Sequence, residues 1–136
     1  MFANNVSNSV TFSYLNISGI QNIYKQDTME GLSFSQNCII GIIETLSESD
    51  NFHCSALKNF QSIISPATRI NRKGRAKGGL ILLNNKEHIS IDQILHKDDH
   101  SIVCMYRLSY SSLKVIVVLL YYPPDLKSKC ILECLC

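Results

Sequence analysis

Apolar residues along this chain fall in short, nearly uncharged runs separated by polar turns, a strand-like pattern more than a helical one. The run Cys38-Ile39-Ile40-Gly41-Ile42-Ile43 has no charge and is mostly β-branched, which predicts a strand buried on both faces. Leu80-Ile81-Leu82-Leu83 predicts a second such strand, opened by Gly78-Gly79. Residues 10–17 predict the first strand and residues 60–65 a short one. Asn84-Asn85-Lys86 is a turn signal, so residues 80–83 and 88–95 are expected to form a hairpin. Residues 101–108 and 113–121 predict another hairpin, joined by Ser109-Tyr110-Ser111-Ser112 and ended by Pro123-Pro124, which cannot donate to a ladder. Asp98-Asp99-His100 then falls in a loop between strands.

Helical spacing is confined to fewer places. Ile20, Ile23, Tyr24, Met29, Leu32 and Phe34 predict a helix within residues 20–34, with Gly31 near its end. A helix there makes the strands at 10–17 and 38–43 a parallel pair. A loop with a short helix is expected over residues 50–57. Residues 125–136 read as the start of a helix that Asp125 could cap, and residues 1–9 as a loose polar terminus. The fold class is therefore α/β, one domain over residues 10–136.

Composition narrows the function classes. With 136 residues, 46% hydrophobic and 18% charged, the chain is globular in composition. A net charge of +2 does not by itself argue for nucleic acid. No apolar stretch approaches the roughly 20 residues of a membrane helix, and residues 1–5 do not open a signal peptide, so no membrane partner and an intracellular location are expected. Asn5-Val6-Ser7 and Asn16-Ile17-Ser18 match the glycosylation pattern but carry no weight without secretion. Of six cysteines, Cys38 and Cys104 sit in apolar runs and are expected to be buried. Cys54 is isolated, and Cys130, Cys134 and Cys136 lack the paired spacing of a zinc site. No disulfide-linked partner is expected.

Glu44 is the candidate with most chemistry behind it, because it closes a buried strand at its carboxyl end, where open sheets place ligands. Asn16 closes the first strand and Tyr121 the last, so three strand ends could bring a carboxylate, an amide and a phenol to one rim. A solvated strand terminus is the plainer reading of Glu44. Arg69, Arg72, Lys73, Arg75 and Lys77 make a basic stretch that is either a solvated loop or a phosphate contact. Gly74, Gly78 and Gly79 lack the phosphate-loop spacing and instead suit a turn and close strand packing.

Four segments, in order, carry a resemblance. They are Leu15-Asn16-Ile17-Ser18-Gly19-Ile20, Ile42-Ile43-Glu44-Thr45, Gly74-Arg75-Ala76-Lys77-Gly78-Gly79-Leu80 and Tyr121-Tyr122-Pro123-Pro124. Together they resemble the endonuclease/exonuclease/phosphatase superfamily, and within it the endonuclease domain of non-LTR (LINE-type) retrotransposon polyproteins. The resemblance implies a four-layer α/β sandwich with mixed, largely antiparallel sheets, here incomplete at its C-terminal side. It implies Mg²⁺-dependent phosphodiester hydrolysis, with Glu44 as metal ligand, Asn16 and Tyr121 as catalytic groups at the scissile phosphate, and DNA as partner through the basic stretch. Ile43 stands where the family has glutamine, and the family's Gly-Asp-x-Asn motif and later Asp–His pair do not follow Pro124. The expectation is thus part of an endonuclease domain, catalytically incomplete as it stands. Alternatives are a non-enzymatic remnant binding DNA weakly through the basic stretch, or a related phosphoesterase acting on RNA or phospholipid. Self-association through exposed sheet edges is also expected.

Overall fold

The computed structural model describes residues 10–24, 38–54, 57–71 and 73–122. The expectations for residues 1–9, for most of the helix in 20–34, for the helix in 125–136 and for Cys130, Cys134 and Cys136 lie outside them. Seven strands are described: β1 (Thr11–Asn16), β2 (Cys38–Ile43), β3 (Phe60–Ser65), β4 (Leu80–Asn85), β5 (Ile89–Lys97), β6 (Ser101–Leu108) and β7 (Lys114–Leu120). They form a mixed four-stranded sheet, ordered β1-β2-β4-β3, and an antiparallel three-stranded sheet, ordered β5-β6-β7. Among the described residues the helical element is a five-residue 3-10 turn, Ile20–Tyr24.

The first sheet is built around two strands buried at every position, β2 and β4. Each has neighbours on both edges, and side chains alternate between two covered faces. Ile39, Ile43, Leu80 and Leu82 face the second sheet, where they meet Ile102, Cys104, Tyr106, Val117 and Leu119. Cys38, Ile40, Ile42, Ile81 and Leu83 face the other way, under Ile17, Ile23 and Leu57, with Phe52 and Cys54 packed alongside. Burial of such a side chain stabilises by about 1.5–3 kcal/mol, so these two layers hold the sheet. Cys38 and Cys104 are buried as expected, and among the described residues neither they nor Cys54 is in a disulfide.

β1 is parallel to β2, in a register that sets Asn16 beside Ile43. One expectation is corrected. β4 and β5 do not form a hairpin: after Asn85 the chain leaves the first sheet and β5 begins the second. The reason is that β4 pairs with β2 on one edge and β3 on the other, so no edge is left for β5. Residues 50–54 are irregular, and of the short helix expected over residues 50–57 the described part is Leu57, in a 3-10 turn closed by its N–H to the Cys54 carbonyl at 2.9 Å, with residues 55–56 outside the described ones. The hairpins β5–β6 and β6–β7 are both present, and Asp98, Asp99 and His100 form the first turn. No helix among the described residues is long and apolar enough to cross a membrane.

The outward face of the second sheet and part of β1 remain open. Phe12 and Tyr14 on β1, and Ile116 and Val118 on β7, are each about half exposed or more. β7 has a ladder partner on one edge only among the described residues.

Candidate functional site

Parallel pairing brings the carboxyl ends of β1 and β2 together, with Asn16 on one and Glu44 just past the other. β7 crosses above β2 with Leu119 over Gly41. Two residues further along the same face, Tyr121 reaches down and its hydroxyl donates to Glu44 Oε1. Ser18, in the turn after β1, lies 3.3 Å from Glu44 Oε2 and 3.2 Å from Asn16 Oδ1 through its hydroxyl. A hydroxyl has one proton, and the Ser18 N–H already donates to Asn16 Oδ1 at 3.2 Å, which leaves the hydroxyl for the carboxylate. The structure therefore joins Asn16, Glu44 and Tyr121 in one cluster and adds Ser18.

The backbone at Glu44 is left-handed, with φ of 57°. Such a conformation costs a non-glycine residue on the order of 1–3 kcal/mol and persists where the surroundings over-determine it. Here they do so from both sides. Gly19 N–H donates to the Glu44 carbonyl at 2.8 Å and Ile20 N–H to that of Thr45 at 2.7 Å. From the β4 side, Thr45 N–H donates to Gly79 O at 3.2 Å and Leu46 N–H to Gly78 O at 2.9 Å. The hydrogen bond from Tyr121 lowers the Glu44 pKa; burial opposes it, and the Asn16 amide and Ser18 hydroxyl add to the lowering. Glu44 is an ionised, oriented acceptor at neutral pH.

Next to it the basic stretch folds back on itself, closed by the bridge between Thr68 and Lys77. Arg69 and Arg75 line a cavity of about 230 Å³ with Ser18, Thr45 and Leu46. Arg69 is also 2.7 Å from Glu48. Lys73 and Lys77 are exposed and are not among the lining residues, and Arg72 lies outside the described residues. Two of the four basic candidates among the described residues thus reach the cleft.

A second polar cluster occupies the β5–β6 turn. His96 Nε2 lies 2.8 Å from Asp98 Oδ2, while the His100 N–H and the Ser101 hydroxyl donate to Asp98 Oδ1 at 2.8 and 2.9 Å. Burial pushes the Asp98 carboxyl up, but the His96 ring and these two donors outweigh it and hold the group down at about 2. A carboxylate depressed from 3.8 stabilises the fold above its unfolded pKa and loses that contribution as pH falls towards about 2. In urea titrations between pH 4 and pH 2, Asp98→Asn is expected to flatten the acid loss of stability; an unchanged slope counts against the turn as its source.

Ser18 was not singled out from the sequence, although Asn16-Ile17-Ser18-Gly19 reads as a strand end followed by a turn in which Asn and Ser bond locally. Among the described residues no group of three or more His, Cys, Asp or Glu side chains could hold a metal ion by itself. No family model matches the chain, and no curated protein is detectably similar to it in sequence.

Proposed function

We propose that the Asn16–Ser18–Glu44–Tyr121 cluster is a divalent-cation-assisted phosphodiester site, in a domain of the endonuclease/exonuclease/phosphatase kind found in retrotransposon polyproteins, with DNA as the polymer bound. The observation that carries this reading is an ionised carboxylate fixed in left-handed backbone and addressed by hydroxyl donors from two other chain segments. Strain of this kind at a strand-end carboxylate suits a preorganised site better than a solvated terminus.

The donor set fits one class of metal. A single carboxylate beside an amide oxygen suits Mg²⁺, which keeps several waters and takes further oxygens from substrate phosphate. It does not suit zinc, which asks for three or four protein ligands. Glu44 would hold the ion, which when bound neutralises charge on phosphate oxygens. The Asn16 amide can offer a hydrogen to the phosphate, fixing its orientation, while the Tyr121 hydroxyl, its one proton given to Glu44, holds the carboxylate in place. Arg75, on the wall of the adjoining cavity, meets the next phosphate along the strand. No hydrogen bond among the described residues brings a histidine to Glu44, so activation of water is not part of this reading, which is binding without efficient turnover. The reading also makes the two stacked sheets the inner layers of a four-layer sandwich; Ile116, open on the outward face of the second sheet, is a position that an outer layer would cover.

Titration of a fluorescent oligodeoxynucleotide with and without Mg²⁺ tests it. Mg²⁺ is expected to tighten binding by about tenfold, or ~1.4 kcal/mol. Glu44→Gln is expected to abolish that gain while leaving a salt-dependent residue from the arginines. Mg²⁺-independent binding indifferent to Glu44→Gln would leave only weak basic-loop contact. Plasmid nicking that needs Mg²⁺ and Glu44 would overturn the absence of turnover.

A further inference from the structure

At the same end of the molecule, on the outward face of the second sheet, lies a cavity of about 460 Å³. Its volume is in the range of small-molecule sites, roughly 300–1,000 Å³. Bulges in β5 set His96 opposite Val103, on the face that also carries Val118. Val118 and Leu120 form an apolar floor, the Asp98 turn forms one wall, and the rings of His100 and Tyr122 stand 6.2 Å apart, tilted by 33°. His100 Nδ1 is shielded from solvent and has no hydrogen-bond partner. Both Asp98 oxygens are already engaged, by His96, by the His100 N–H and by Ser101. What the lining suits is a flat body with an apolar face, set on Val118 and Leu120 and beside the Tyr122 ring.

We propose that this cavity binds a nucleobase, stacked on Tyr122 over the apolar floor of Val118 and Leu120. A base supplies what the lining asks for, a π-face over aliphatic and aromatic side chains. The proposal rests on the phosphodiester reading for its geometry. Tyr121 and Tyr122 are consecutive at the exit of β7 and face opposite ways, one to Glu44 and the other to this cavity. The Tyr121 N–H is tied to the His100 carbonyl at 2.9 Å, which fixes the exit against the turn. A single strand with a phosphate at Glu44 can therefore pass around the end of β7 and lay a neighbouring base in the cavity. The polymer bound is then single-stranded or locally unpaired, because a base inside a duplex has no free face to offer.

Two probes of equal length test this with the full chain: a single-stranded oligodeoxynucleotide and its fully abasic counterpart, each read by fluorescence anisotropy with Mg²⁺. The base-bearing strand is expected to bind about tenfold more tightly, the low end of what stacking one base contributes. Tyr122→Ala is expected to bring that ratio close to one without weakening the abasic strand, and Tyr122→Phe to keep it. Equal affinities in the unaltered chain, or a ratio that survives Tyr122→Ala, would overturn the proposal and leave the phosphodiester reading standing. If neither strand binds, the phosphodiester reading fails, and adenosine alone then decides on the cavity. Shifts of the His100 ring resonances on adding adenosine support it, and their absence removes it.

Discussion

Gly79→Ala is expected to destabilise the protein by about 3 kcal/mol, moving its urea midpoint down by roughly 1–2 M. Two effects add. Gly79 has φ of +94°, which L-residues adopt at a cost of about 1–2 kcal/mol. A Cβ placed there would lie 2.0 Å from Thr45 Oγ1 and 3.2 Å from both Thr45 Cβ and Leu46 N. Thr45 is itself buried and cannot swing into solvent. Relief must come from the backbone, and that backbone is the segment following Glu44, hydrogen-bonded to Gly78 and Gly79. The same substitution is therefore expected to remove the Mg²⁺-dependent gain in oligonucleotide binding even at temperatures where the chain stays folded. Adding Thr45→Ala takes away the hydroxyl but neither the positive φ nor the Leu46 contact, so rescue should be partial. A midpoint within 0.3 M of the parent would show that Gly79 is not the clamp that these distances make it (a shift that small is within about 0.5 kcal/mol).

How far the sequence reaches into this structure depends on what kind of constraint each element obeys. β2 and β4 are legible because burial on both faces leaves no room for a polar side chain until the strand end, where Asn84 and Asn85 take over in β4. The two hairpins of the second sheet are legible for the same local reason, alternation with a short polar turn. The crossing from β4 to β5 is not. The polar signal at Asn84-Asn85-Lys86 reads the same whether the chain folds back in plane or steps to a second sheet; the structure keeps Asn84 and Asn85 in β4 and turns at residues 86–88, and only the occupied edges of β4 decide where the chain goes next. At the site, Asn16, Glu44 and Tyr121 could be picked out because each ends an apolar run. The left-handed backbone at Glu44 could not, since glutamate has no preference for it and the cause lies in hydrogen bonds from two loops distant in sequence. His100 and Tyr122 were beyond reach as a pair: one sits in a turn and the other follows a strand, and nothing local tells which face either takes. The basic stretch shows the opposite failure. Its five charges read as one unit, yet of the four that lie among the described residues only Arg69 and Arg75 line the cleft.

Leu119→Ala is expected to cost about 3 kcal/mol, within the range for deleting a buried leucine side chain, and its coupling to Gly41 reports how the two sheets are aligned. Leu119 is nearly inaccessible in the core between the sheets. It reaches that position because β2 has no side chain at residue 41: a Cβ on Gly41 would lie 2.8 Å from Leu119 Cδ1 and 3.6 Å from Cδ2. Gly41→Ala alone is therefore an overpacking change, but one that meets the far end of a flexible side chain, and about 1 kcal/mol is expected. In the double variant the new methyl enters the space that Leu119→Ala vacates. The combined loss should be smaller than the sum of the two by about 1 kcal/mol, a coupling that only residues in contact show. The consequence reaches the site, because Tyr121 lies two residues beyond Leu119 on the same face of the chain and its hydroxyl holds Glu44. If Leu119 seats β7 over β2, then Leu119→Ala also loosens Tyr121. The Glu44 pKa, which that hydrogen bond lowers, should then rise towards its ordinary value, visible in a carboxyl titration by NMR. Strict additivity of the two substitutions, with an unmoved Glu44 titration, would mean that β7 is seated by other contacts and that the glycine in β2 serves no packing purpose.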